Sequence, residues 1–326
     1  MASSLGRSGP NPATPCRTHR DGSAERRKRM SVNLTRRQFT IASAMACVAF
    51  PAFAQTSTLL TRAIPRTGEK LPAVGLGTAR VFDTDDEETR GKAAAVLRAL
   101  IAGGGRLVDT SSVYGDAETV LGETIASAGL RDKIFMATKL EAPDAAELKR
   151  SQKRLQMQRF DLLQLHNVSN PRQSLARFKD WKGEGLCRYI GITSTSHEDF
   201  PAVEAVLRRE KPDFVQIDYS LDDREAEKRV LPVAADVKAA VLTAVPLGRG
   251  RLFRAVHGKP IPDWAQGFAE DWSQFFLKFL LSDPRVTAVI PGTADPAHMT
   301  DNLGALRGSL PDPDQRKKME ALAATL

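Results

Sequence analysis

Two hydrophobic rhythms divide the chain. Short apolar runs rich in Val, Ile and Leu alternate with longer segments in which apolar positions return every three or four residues. The first rhythm reads as buried strands and the second as helices packed on one face. The runs are Ala73–Gly77, Arg106–Asp109, Ile134–Lys139, Leu162–His166, Tyr189–Thr193, Phe214–Ile217, Ala240–Val245 and Val286–Pro291. Ahead of them, "TRAIPRTGEKLPAVGLGT" reads as a hairpin turning at Thr67-Gly68. Helix starts are legible too. Thr84 and Glu87 have capping-box spacing, and Asn170-Pro171 and Asp295-Pro296 each set a cap residue before a first-turn proline. Eight strands, each followed by a helix, predict an α/β fold, a (β/α)8 barrel with an N-terminal β-hairpin, as one domain of about 250 residues. The alternative is an open doubly wound sheet. That fold expects a phosphate-binding glycine pattern at its first turn, where "GLGTARVFD" lacks the third glycine.

Three successive strands end on ionisable residues: Asp109, Lys139 and His166, with Tyr114 on the loop just past Asp109. A carboxylate closing a buried run is costly without a partner, and a barrel rim brings Lys139 from the next strand to meet it. Residues at the C-terminal ends of barrel strands tend to be catalytic. A phenol with an ordinary pKa of about 10 must lose roughly 3 units, about 4 kcal/mol, to work near neutrality. One ammonium about 4 Å away supplies that at an effective dielectric near 20. The carboxylate on its far side keeps the ammonium charged, and His166 is free to orient a substrate oxygen. The set suits proton transfer to a carbonyl oxygen. Taken singly, Asp109 and Lys139 also read as a structural rim pair, and His166 as a hydrogen-bonded residue near the core.

Charge changes the picture at one end only. The formal net charge is +8, but residues 1–54 hold nine Lys/Arg against two Asp/Glu, leaving 38 basic against 37 acidic in the body. A near-neutral body excludes a broad nucleic-acid surface. Residues 1–29 read as a disordered extension. Residues 30–54 carry Arg36-Arg37, then Phe39, a modest apolar run and Ala52-Phe53-Ala54. This resembles a twin-arginine signal peptide, which implies the twin-arginine export machinery as a partner and a bacterial periplasmic location for residues 55–326. The apolar run is too short for a stable membrane span, which takes about 20 residues. Cys16 and Cys47 fall within residues 1–54, so Cys187 has no disulfide partner in the body and reads as a small core residue.

Together, "RLVDTSSVYGDAETVLGE", "IFMATK", "FDLLQLHN", "YIGITS" and "FVQIDYSL" resemble the aldo-keto reductases in order and spacing, across about residues 60–310. The resemblance implies an NADP(H)-dependent oxidoreductase that reduces a small aldehyde or ketone to an alcohol by hydride transfer, without metal. It implies Tyr114 as general acid, Lys139 as the partner that lowers its pKa, Asp109 as the lysine's counter-charge and His166 as the substrate-orienting donor. Thr193 and Ser194 stand where the family holds the nicotinamide amide with Ser-Asn, and Gln216 matches its amide-binding glutamine. Ala244 or Val245 falls where many members stack a tyrosine. Leu247, Gly248 and Arg251 match the pyrophosphate lining. Thr293, His298 and Asn302 match the adenosine 2′-phosphate segment, where Gly292 and His298 replace the usual Lys and Arg; this leaves NAD(H) open as a second cofactor. Pro296 opens a helix whose N-terminus favours an anion. Short loops imply an open mouth lined by Phe82, Asn167 and Trp264. Two other readings stand beside this one. One is an exported nicotinamide-binding barrel with little catalysis, a redox sensor or partner subunit. The other, more distant, is a barrel enzyme for a phosphorylated substrate.

Overall fold

The computed structural model describes residues 58–84, 86–141, 144–168 and 171–326, with only the backbone at 171 and 172. Residues 1–54, with Cys16 and Cys47, and the cap residue Asn170 lie outside the described residues.

A hairpin of β1 (Thr61–Ala63) and β2 (Lys70–Pro72) turns at Thr67-Gly68, as the sequence predicts. Eight parallel strands follow: β3 (Leu76–Gly77), β4 (Leu107–Asp109), β5 (Phe135–Leu140), β6 (Phe160–Leu165), β7 (Cys187–Ser194), β8 (Phe214–Asp218), β9 (Ala240–Ala244) and β10 (Ala288–Val289). Each pairs with its chain neighbour, and the ends meet. Gly75 and Gly77 donate to Val289 and Pro291 at 2.8 and 3.0 Å, and Val289 donates to Ala73 at 2.9 Å. The sheet is thus a closed barrel, not the open alternative.

The connecting helices are α1 (Glu87–Ala102), α2 (Ala117–Ser127), α3 (Ala145–Leu155), α4 (Pro171–Gly183), α5 (Phe200–Glu210), α6 (Glu225–Lys228), α7 (Val230–Asp236), α8 (Arg251–Ala255), α9 (Trp272–Leu281) and α10 (Pro296–Gly304), with α11 (Pro313–Ala323) last. One cap differs from expectation. Asp86, not Thr84, caps α1, accepting from Thr89 N at 2.8 Å, while Thr84 accepts from Asp86 N. The carboxylate is the stronger acceptor and sits directly before the first turn. Asp295 caps α10 as predicted.

Side chains alternate across each strand, and this sorts the core in two. Val108, Met136, Leu163, Val215 and Val241 face the helices. Leu107, Phe135, Leu162, Tyr189, Phe214 and Ala240 fill the barrel interior, where Ile64 and Leu71 of the hairpin join them. The hairpin therefore plugs the N-terminal end, and the opposite rim is left for chemistry. Cys187 is a free, buried thiol that burial pushes up to about 12, consistent with an inert core residue.

Candidate active site

Counting by twos up the inward face places each polar residue above the apolar plug. Phe135 and Ala137 lead to Lys139, Leu162 and Gln164 to His166, and Leu107 to Asp109. Tyr189 and Gly191 lead to Thr193, and Phe214 and Gln216 to Asp218. Asp109 and Lys139 are almost fully buried, and their ion pair is short at 2.5 Å. Lys139 Nζ also donates to Thr110 O at 2.8 Å and reaches Tyr114 Oη at 3.4 Å, lying 4.8 Å from the tyrosine's ring centroid. The His166 ring meets the Tyr114 ring edge-on, centroids 5.7 Å apart. The structure thus brings all four predicted residues together, and Asp109 ends its strand because Lys139 is there to pair with it.

Electrostatics assign protons to the set. Burial works against the charge on Lys139, but Asp109 and the tyrosine oxygen more than offset it, and its pKa is raised. Burial, with Lys139 adding to it and Asp109 opposing, pushes His166 down to about 4, so its imidazole is neutral at neutral pH. Its Nδ1 lies 3.4 Å from Ser111 Oγ and 3.6 Å from Glu141 Oε1.

The residues expected around a cofactor divide. Gln216 donates to Asp109 Oδ2 at 3.1 Å, and its own Oε1 is buried without a hydrogen-bond partner among the described residues. That orphan acceptor fits a carboxamide N–H. Thr193 Oγ1 instead joins strand ends, donating to Leu165 O and accepting from Asn167 N. Ser194 is held by Asp199 Oδ2 at 2.8 Å in a local turn. Leu247, Gly248 and Arg251 lie along one turn. Val245, just before it, has φ of 51°, a strained value for a β-branched residue. Arg251 pairs with Asp222 at 3.0 Å.

Two expectations are corrected. The N-terminus of α10 already holds a carboxylate, because Asp295 accepts from Ala297 N at 2.8 Å; that negative charge opposes a phosphate there. Near it Thr293 and Asn302 are buried and His298 is exposed. Phe82 is fully buried in the core cluster and lines no open mouth. Trp264 packs edge-on against Phe275 with Lys318 over its ring, whereas Asn167 is exposed. Alternation along the strands exposes what the search for charged strand ends passed over: Gln164, whose Nε2 donates to Asp109 Oδ1 at 3.1 Å, and Asp218 at the rim. Burial and then Asp223 push Asp218 up to about 6, opposed by Arg249, His197 and Arg251.

Comparison with known proteins agrees with this geometry. The model of the aldo/keto reductase family matches residues 73–324. Aldo-keto reductase YhdN of Bacillus subtilis is 32% identical over 212 residues, covering 58% of this chain but only 62% of that protein. Methylglyoxal reductase YeaE of Escherichia coli is 29% identical over 254 residues, covering 74% of this chain and 87% of the relative. Among solved structures, an aldo-keto reductase from Klebsiella pneumoniae in complex with NADPH superposes with a TM-score of 0.71 at 26% identity, covering 81% of this chain and 96% of that one. A closed eight-stranded barrel with a buried carboxylate–ammonium pair against a tyrosine at its C-terminal rim, matched by the family model over nearly all its described length, belongs to the aldo/keto reductase family.

Proposed function

We propose that the chain reduces the carbonyl of a small aldehyde or ketone to an alcohol, with NADP(H) as cofactor and Tyr114 as the proton donor. The observation that carries the reading is the Lys139 ammonium, 2.5 Å from Asp109 and 3.4 Å from the Tyr114 oxygen. The hydride that the carbonyl carbon receives would come from the dinucleotide, held in part by Gln216. The Tyr114 O–H bond breaks as its proton passes to the carbonyl oxygen. Lys139 stabilises the phenolate left behind, and Asp109 keeps Lys139 charged in a buried place. His166, neutral, has a ring N–H with which to hold the carbonyl oxygen, so the transferring proton belongs to Tyr114. The buried Gln216 Oε1 would accept from the nicotinamide carboxamide. An assembled acid–base set favours catalysis over a purely sensing role.

The methylglyoxal reductase among the relatives makes 2-oxoaldehydes the first substrates to try. Replacing Tyr114 with Phe removes the proton and keeps the ring, and is expected to lower kcat by about 10²–10⁴. Equal NADPH consumption by wild type and Tyr114→Phe would refute the assignment. The same protein is proposed to be exported by the twin-arginine route, on the strength of Arg36-Arg37, Phe39 and the Ala-Phe-Ala site. Cell fractionation with Arg36→Lys/Arg37→Lys should then retain the chain in the cytoplasm; unchanged distribution would refute export by that route.

A further inference from the structure

We infer that Gln164 is a positioning residue of this site: it fixes and partly neutralises the Asp109 carboxylate, and so sets how strongly Lys139 favours the tyrosine anion. The inference rests on the reading of Tyr114 as proton donor. Gln164 is fully buried within an apolar strand, between Leu163 and Leu165. Its side-chain amide nitrogen donates to Asp109 Oδ1 at 3.1 Å. Its Oε1 is left buried without a hydrogen-bond partner among the described residues. An ionised carboxylate only accepts, so the amide must turn its nitrogen inward and leave its oxygen bare. Burying an amide to make one bond is unfavourable unless that bond is needed. Room is made for it: a Cβ on Gly191, its register partner, would come within 3.1 Å of Gln164 Cγ.

The two carboxylate oxygens are held unequally. Lys139 and Gln216 both donate to Oδ2, whereas the Oδ1 side is held by Gln164. Without Gln164 the carboxylate can rotate and carry Oδ2 away from Lys139. It also keeps more of its negative charge, which offsets more of the ammonium's field at the Tyr114 oxygen. A phenolate there is then less stabilised and the phenol a weaker acid.

The test compares wild type with Gln164→Leu and Gln164→Glu in the full chain, measuring kcat for aldehyde reduction against pH, cofactor Kd by fluorescence quenching, and Tm. Gln164→Leu is expected to lower kcat at neutral pH about 3- to 10-fold and to move the alkaline limb of the profile upward by about 0.5–1 pH unit, with cofactor Kd held within about twofold. Gln164→Glu sets a second carboxylate against Asp109. As pH falls and the two share a proton, the introduced carboxyl becomes a donor again, so activity should recover toward wild type on the acid side. A lowered Tm with a superposable pH profile in Gln164→Leu, or no acid-side recovery in Gln164→Glu, overturns the inference while leaving the donor assignment intact. Retained activity in Tyr114→Phe overturns the donor assignment itself, and the inference with it.

Discussion

Replacing Lys139 with Met removes the ammonium while keeping an unbranched side chain, and its two consequences can be measured apart. The first is chemical. At 3.4 Å from the Tyr114 oxygen, an ammonium stabilises a phenolate by about 5 kcal/mol at an effective dielectric near 20. At 1.36 kcal/mol per decade that is an upper limit of roughly 3.5 decades, and partial proton transfer in the transition state retains most of it. We expect kcat to fall by about a thousandfold. The second consequence is structural. Asp109 would remain buried, with the two glutamine amides as its donors in place of a 2.5 Å ion pair. Breaking such a pair from one side costs about 3–5 kcal/mol. The double variant Asp109→Asn/Lys139→Met removes the stranded charge, so it should regain most of the stability and none of the activity. The assay is saturating-cofactor kcat at a temperature well below each variant's Tm, beside urea unfolding. A single variant within tenfold of wild-type kcat would refute the electrostatic argument. A double variant that regained activity along with stability would show that the original loss was only a folding defect.

Two further outcomes follow from the same structure. His166 is pushed from 6.5 down to about 4 in the folded protein, so the unfolded chain binds the extra proton and the stability His166 contributes is present above pH 6.5 and lost as pH falls through 4. This amounts to at most about 3 kcal/mol. Asp218, pushed up to about 6, acts with the opposite sign, so the His166 part is read as the difference between wild-type and His166→Asn unfolding curves; a difference that does not change between pH 7 and 4 would contradict it. Gly122 sits where α2 crosses α3, and a Cβ there would come within 2.1 Å of Arg154 O. Gly122→Ala should therefore cost about 1–3 kcal/mol and lower Tm by several degrees, seen by calorimetry; an unchanged Tm would show that the crossing is loose.

The charged strand ends were legible because they break a rule. A run such as Ile134–Met136 that closes on Lys139 has no apolar reason to do so, and only a barrel rim gathers three such ends. Cap placement was less legible. Thr84 and Asp86 both precede α1, and the choice turned on which side chain faced the first free N–H groups, a matter of one residue that spacing does not resolve. Phe82 was misplaced for a related reason. A lone aromatic in a loop carries no period, so nothing in the sequence says that it folds under the rim rather than over it.

Gln164 shows where reading by residue type stops short of reading by position. In "DLLQLHN" both faces of the strand are apolar because helices cover one and the barrel interior the other, so no alternation marks the inward side. Yet His166 marks it. Once that residue is taken to point into the barrel, a period of two makes Gln164 and Leu162 inward as well. The same step from Gln216 reaches Asp218. The acid–base set is thus a layer and not four isolated residues. Its upper members are the groups proposed to meet the substrate, and the amides one level below, Gln164 and Gln216, decide which oxygen of Asp109 faces Lys139. A barrel with the four named residues intact but Leu at both amide positions would bury the same carboxylate with only Lys139 to orient it, and the ammonium beside Tyr114 would lose the fixed counter-charge that keeps it protonated.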